Sequence, residues 1–225
     1  SKSKTNFYDL NAKAIVAGKE KAPHGFFVPA GQHDPNAAAE MINRLLIAGV
    51  KVERTTKELR HAERVIPAGS YYISLAQPAR AYVKDLLERQ RYPDLKQYPG
   101  GPPRQPYDMT GWSLPLQMGV EVVEQSRPVD VESHAVDTAI VDVPEQRGSG
   151  EYWYFERRYN NSFAVVHALL KRGVELFESR STVMVNDLAL PPGTFIVPAR
   201  RLTAADAIAL GRTWGVPLRT ADFPE

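Results

Sequence analysis

The residues from Asn36 to Ser74 recur, without a gap, in those from Asn160 to Pro198 at a constant shift of 124. Leu45-Leu46 falls on Leu169-Leu170, Gly49-Val50 on Gly173-Val174, Pro67-x-Gly69 on Pro191-x-Gly193, and Tyr71-Tyr72-Ile73 on Phe195-Ile196-Val197. Few side chains are identical, yet the order of apolar residues, glycines and prolines is kept. A period of this kind means that one supersecondary unit occurs twice, and any fold for the chain has to accommodate two copies of it.

Each copy has the grammar of a strand-helix-strand unit. Phe26-Phe27-Val28 is a short apolar run bounded by glycine and proline, as in a buried strand. Asp34 is placed to cap a helix with Pro35 at its first position, where a missing N–H costs nothing. Ala38, Met41, Ile42 and Leu45 then form one apolar stripe, and Gly49 stops the helix by tolerating positive φ. Val50 and Val52 alternate with charged residues, and Val65 to Ile73 reads as a turn into a further apolar strand. In the second copy Tyr152-Trp153-Tyr154 supplies the strand and Ser162 or a neighbouring Asn the cap. Phe163, Val166 and Leu170 supply the stripe, and Gly173 the stop. A closing helix follows in each, with Ala79, Tyr82, Val83, Leu86 and Leu87 in the first and Ala207, Ile208 and Leu210, after Thr203, in the second.

Strand, helix and strand in series predict an α/β fold, with a mostly parallel sheet flanked by helices. A copy of about 65 residues buries too little surface to be robust alone. The expectation is therefore one domain, residues 1–225, in which both copies share a sheet. Within it, residues 1–21 form a leading helix, 22–90 the first copy, 91–150 a proline-rich connection with extra elements, and 151–225 the second copy. The connection holds the irregular Tyr98-Pro99-Gly100-Gly101-Pro102-Pro103, a short helix over Thr110 to Met118, strands at Gly119 to Val123 and Ala139 to Val143, and a hinge at Arg147 to Gly150.

Composition removes several functions. The 28 basic and 26 acidic residues leave a net charge of +2 and no cationic field to attract nucleic acid. No apolar run approaches the roughly 20 residues of a membrane span. With no cysteine there is no disulfide, thiolate nucleophile or cysteine-ligated zinc. The opening Ser1-Lys2-Ser3-Lys4 has no methionine and no signal-peptide core, which reads as an internal start.

Lys84-Asp85-Leu86-Leu87-Glu88-Arg89-Gln90-Arg91-Tyr92-Pro93-Asp94, then Tyr98 to Pro103, then Pro106-Tyr107-Asp108-Met109-Thr110-Gly111-Trp112-Ser113-Leu114-Pro115-Leu116-Gln117-Met118-Gly119-Val120, resemble the segment that follows the catalytic domain in bacterial M14-type zinc carboxypeptidases. The likeness extends more loosely over nearly the whole chain, and Asn6-Phe7-Tyr8-Asp9-Leu10 resembles the last helix leaving the peptidase domain. The resemblance implies a domain similar to class I glutamine-amidotransferase-like, or flavodoxin-like, α/β domains. It also implies an N-terminal peptidase domain as partner, peptide substrate met only indirectly, zinc in that domain, and export to the periplasm or outside.

The family's chemistry has no counterpart in these residues. None of His24, His33, His61, His134 and His167 is followed by glutamate at the third position, as the family's zinc motif requires. His61-Ala62-Glu63 has the wrong spacing and His134-Ala135-Val136-Asp137 the shorter acid. Two ligands fall short of the three or four of a protein zinc site. An amidotransferase needs a nucleophilic cysteine, and Gly-x-Ser-x-Gly and the nucleotide-loop motifs are absent as well. The expectation is a non-catalytic accessory domain with no cofactor of its own, attached to a parent enzyme. The alternative is a degenerate amidotransferase-like module for a small molecule or glycan. An enzyme built on His134 and Asp137 is the third reading.

Six residues stand out as ligand contacts or a docking surface. Tyr107, Asp108, Thr110 and Trp112 combine aromatic, carboxylate and hydroxyl groups at a loop-to-helix junction, where capping by Thr110 or Asp108 and core packing by Trp112 and Leu116 is the structural explanation. Arg158 and Arg200, in the pairs Arg157-Arg158 and Arg200-Arg201, follow strands, where the carboxyl ends of a parallel sheet face a crevice. Solvated surface arginines are the competing reading. His33-Asp34 is explained by the cap, while His167, Met41 and the Tyr152 to Tyr154 run read as core.

Overall fold

The computed structural model describes residues 2–89, 94–105, 113–143, 150–185 and 188–223. It is a mixed α/β structure whose contacts divide into two compact units. The first comprises Ser1–Gln32 and Met41–Thr138, the second His33–Glu40 and Ala139–Glu225.

In the first unit α1 (Lys2–Glu20) leads to β1 (Gly25–Val28), and α2 (Pro35–Ile47), which belongs to this unit from Met41 onward, leads to β2 (Glu53–Thr55). A small hairpin of β3 (Leu59–His61) and β4 (Arg64–Ile66) precedes β5 (Tyr71–Ser74) and α3 (Arg80–Leu87). After the connection come α4 (Leu114–Met118), β6 (Val123–Gln125) and β7 (Ser133–Ala135). The sheet runs β6-β1-β5-β2-β7. Phe26, Phe27, Ile66, Ile73, Leu75, Met41, Ile42 and Leu45 are wholly buried, so the stripe expected on α2 is the one it buries.

The second unit repeats this arrangement. It runs β8 (Tyr152–Phe155), α5 (Ser162–Lys171), β9 (Phe177–Glu178), the hairpin β10 (Val183–Val185) and β11 (Leu188–Leu190), β12 (Phe195–Pro198), α6 (Ala204–Trp214) and β13 (Arg219–Ala221). The sheet order is β13-β8-β12-β9. From β2 onward the shift of 124 holds residue for residue: β3, β4 and β5 land on β10, β11 and β12, and α3 begins where α6 does. Registers agree too. Val28 lies opposite Tyr71 as Phe155 does opposite Phe195, and Glu53 opposite Tyr72 as Phe177 does opposite Ile196. The first helix is longer in the first unit, 13 residues in α2 against 10 in α5.

The hydrogen bonds of the shared turn are duplicated atom for atom. Gly69 N–H donates to Thr55 O and Gly193 N–H to Ser179 O, both at 2.8 Å, with φ of +82° and +87° at the glycines. The Ser70 and Thr194 hydroxyls donate to Pro67 O and Pro191 O, each at 2.7 Å. Their own amides donate to the hydroxyls of Thr55 and Ser179, each at 3.1 Å. The Pro-x-Gly anchor therefore marks a hydroxyl-clamped turn, in which positive φ makes glycine the fitting residue.

Several expectations need correction. The sheets are antiparallel in every described pair, not mostly parallel, and the two copies build separate sheets rather than one. The cause is strand insertion: β1 and β2 do run parallel across α2, but β5 lies between them and pairs antiparallel with both. The same split occurs with β12 between β8 and β9. On α5 the buried stripe is Ser162, Val165 and Leu169, while Phe163 and Leu170 are exposed. The repeat itself places these on Ala38, Met41 and Leu45. Among the described residues no strand forms over 139–143, Leu116 is exposed rather than a core plug, and His167 is exposed. The expected strand at Gly119 to Val123 forms later, as β6.

Candidate functional site

Of the six singled-out residues, Tyr107, Asp108, Thr110 and Trp112 lie outside the described residues. Arg158 and Arg200 lie in the second unit. The Arg158 guanidinium is fully engaged: it donates to His33 O at 3.2 Å and Tyr159 Oη at 2.6 Å, pairs with Glu156 at 3.1 Å, and stacks 4.5 Å from the Tyr159 ring centroid. It braces the loop after β8 instead of awaiting an anion. Arg200 is exposed on a single 3-10 turn, Ala199–Arg201. The crevice argument for both does not survive the antiparallel pairing, since it applies to the carboxyl ends of parallel strands.

Asp34 is buried and serves two loops of the second unit. One oxygen accepts from Asn36 N at 3.0 Å, as a helix cap does, and the other from Asn160 N at 2.9 Å. The amides left over at a helix start explain the first bond. His134 and Asp137 are both exposed, and no hydrogen bond links them. His61 is buried, tilted against Phe27, with Nε2 3.2 Å from Glu124 O, so its role is in the core. Among the described residues no three His, Asp or Glu side chains converge as metal ligands.

Two buried amides lock the first unit. Gln77 accepts from Lys51 N at 2.8 Å and donates to Lys51 O and Ser74 O. Gln32 does the same for Glu121, accepting from its N–H at 2.8 Å and donating to its O at 3.0 Å. Tyr72 Oη donates to the buried Gln125 Oε1 at 3.0 Å. Burial, with the Glu53 carboxylate adding to it, pushes the Tyr72 phenol above its ordinary range. An acid with a raised folded-state pKa contributes stability that is complete below its unfolded value, about 10, and is lost as pH rises further. Tyr72→Phe is thus expected to cost about 1–2 kcal/mol near pH 7, by stranding Gln125. That deficit should shrink above pH ~10, which urea titrations at the two pH values measure.

The open surface of the second unit lies along β9. A cleft of about 770 Å³ there is lined by Arg157, Phe177, Glu178, Arg180, Pro192 and the glycine of the turn, Gly193. Arg157 is committed to Glu178 at 2.8 Å, while Arg180 is exposed and makes no ion pair among the described residues. Phe177 is half exposed. Among the described residues the arrangement offers an aromatic surface beside two arginines. Sequence reasoning missed these residues, although aligning the copies does set Phe177 on Glu53 and Arg180 on Thr56.

No described helix is long and apolar enough to cross a membrane. Compared with known proteins, the chain matches no family model, no curated protein and no solved structure.

Proposed function

We propose that the chain is the non-catalytic accessory region following the catalytic domain of an M14-type zinc metallocarboxypeptidase, and that it packs on that domain through α1. Beside the string from Lys84 to Val120, the observation carrying this reading is the leading half of α1. Residues 2–10 of the helix are all exposed, including Phe7 at 70%, Tyr8 at 73% and Leu10 at 66%. Three large apolar side chains on two helical turns form a patch that a covering surface would bury. The second half of the helix is held differently, with Gly18 buried and α3 alongside.

In this reading zinc, the scissile bond and export to the periplasm or outside all belong to the larger polypeptide. The chain's part is to support the catalytic domain and shape access of peptide to its cleft. The test is the coding sequence upstream of Ser1 together with the longer polypeptide it encodes. A His-x-x-Glu followed far downstream by a His is expected there. In that polypeptide, alanine at Phe7, Tyr8 and Leu10 should lower the melting temperature of the peptidase, while the same changes in residues 1–225 alone should leave stability unchanged. Absence of the motif, or release of C-terminal residues by residues 1–225 alone, would refute the proposal.

A further inference from the structure

The first unit has a cleft of its own, of about 320 Å³, bounded by β4, the chain leaving β1 and the chain entering β6. Sites for small molecules begin at about that size, ~300 Å³. Two buried side chains tie its walls together. Gln32 Nε2 donates to Pro29 O at 2.9 Å and to Glu121 O at 3.0 Å, while its Oε1 accepts from Glu121 N–H at 2.8 Å. Ser70 Oγ accepts from Ala30 N–H at 2.9 Å and donates to Pro67 O at 2.7 Å. Each of these side chains spans two walls, so the cleft is preformed.

Val65, Pro67 and Val123 give it an apolar lining. Arg64 and Glu121 add one positive and one negative charge, paired with each other and each more than half exposed. The second copy shows that the architecture does not require this pair. The shift of 124 sets Leu188 on Arg64. Val123 lies opposite Phe27 as Arg219 does opposite Tyr154, which sets Pro217 on Glu121. The equivalent hairpin and sheet form there with neither charge. An exposed ion pair also adds little stability to the unit that has it.

Opposite charges side by side, next to an apolar lining, match a ligand that carries both charges and an apolar group. A purely anionic or cationic ligand would take one partner of the pair and strand the other. A zwitterion exchanges one ion pair for two: its carboxylate takes the Arg64 guanidinium and its ammonium the Glu121 carboxylate. We propose that this cleft binds a free α-amino acid with an aliphatic side chain, which covers Val65 and Val123. This inference does not depend on the peptidase reading.

The probe is L-leucine, titrated into the 225-residue chain and followed by amide NMR shifts. Saturable shifts at Ala30, Val65 and Val123 are expected, with a Kd of about 1 mM, the range that two exposed ion pairs and one small apolar side chain support. Leucine amide, which lacks the carboxylate, and N-acetyl-leucine, which lacks the ammonium, should each fail to saturate on the unaltered chain, and glycine should fail for want of a side chain. Arg64→Leu, the residue of the second copy, should lose leucine binding. Absence of saturable shifts with leucine, equal binding of either analogue or of glycine, or undiminished binding to the Arg64→Leu chain would each overturn the proposal.

Discussion

Gly18→Ala is expected to destabilise the protein by about 3 kcal/mol or to release α1 from the first unit, as befits overpacking against atoms that cannot move aside. Alanine is the better helix former by about 1 kcal/mol, so in a free helix the substitution would stabilise. Here a Cβ at position 18 would lie 1.9 Å from Leu75 O, 2.2 Å from Leu75 C and 2.5 Å from Ala76 N. All three are backbone atoms just beyond β5, and a flexible side chain is not available to yield. Gly18 O also lies 3.2 Å from His24 Nδ1, so a displaced α1 would lose that contact too. The measurement is urea denaturation of the variant combined with trypsin cleavage at Lys13 and Lys19. Faster cleavage there is the expected result, and a gain in stability would mean α1 does not pack as described.

The second large effect concerns the duplicated core. Leu45→Ala and Leu169→Ala should each cost about 3 kcal/mol, within the roughly 2–5 kcal/mol range for buried leucine, because both side chains are fully enclosed at equivalent places on α2 and α5. The neighbouring Leu170→Ala is the control. Leu170 is 58% exposed, and its truncation should stay within about 0.5 kcal/mol. Midpoints of urea denaturation measure all three. A large loss at Leu170 with little at Leu169 would rotate α5 back to the face that its spacing alone suggested.

That reversal shows where the sequence was readable and where it was not. The repeat was legible because its anchors are the residues least free to vary: the positive-φ glycines Gly49, Gly69, Gly173 and Gly193, and the buried Leu45 and Leu169. The strand order was not. Whether β1 pairs with β2 or admits β5 between them is decided by partners more than 40 residues apart, and the local pattern of strand, helix and strand is identical in both cases. The hairpins β3–β4 and β10–β11 went unseen because segments such as Leu59-Arg60-His61 are too short and too polar to alternate visibly. Among candidate site residues, Arg158 illustrates the usual fate of a conspicuous arginine. Its donors are consumed by His33, Tyr159 and Glu156.

The copies also differ in the charges beside β2 and β9. In the first unit Lys57 and Glu132 pin the start of β7. Each favours its charged form through the other: the side-chain hydrogen bond and the charge of its partner raise Lys57 and lower Glu132. This exposed pair fixes register more than it stabilises. Beside β9, Ser181 occupies the place of Lys57.

Amide hydrogen exchange at the two hydroxyl-clamped turns tests the central claim, that the units are copies of one design. The Gly69 and Gly193 amides, bonded to Thr55 O and Ser179 O, should be protected alike, and so should the Thr55 and Ser179 amides, bonded to Ser70 O and Thr194 O. Slow exchange at one member of a pair beside fast exchange at the other would contradict the account.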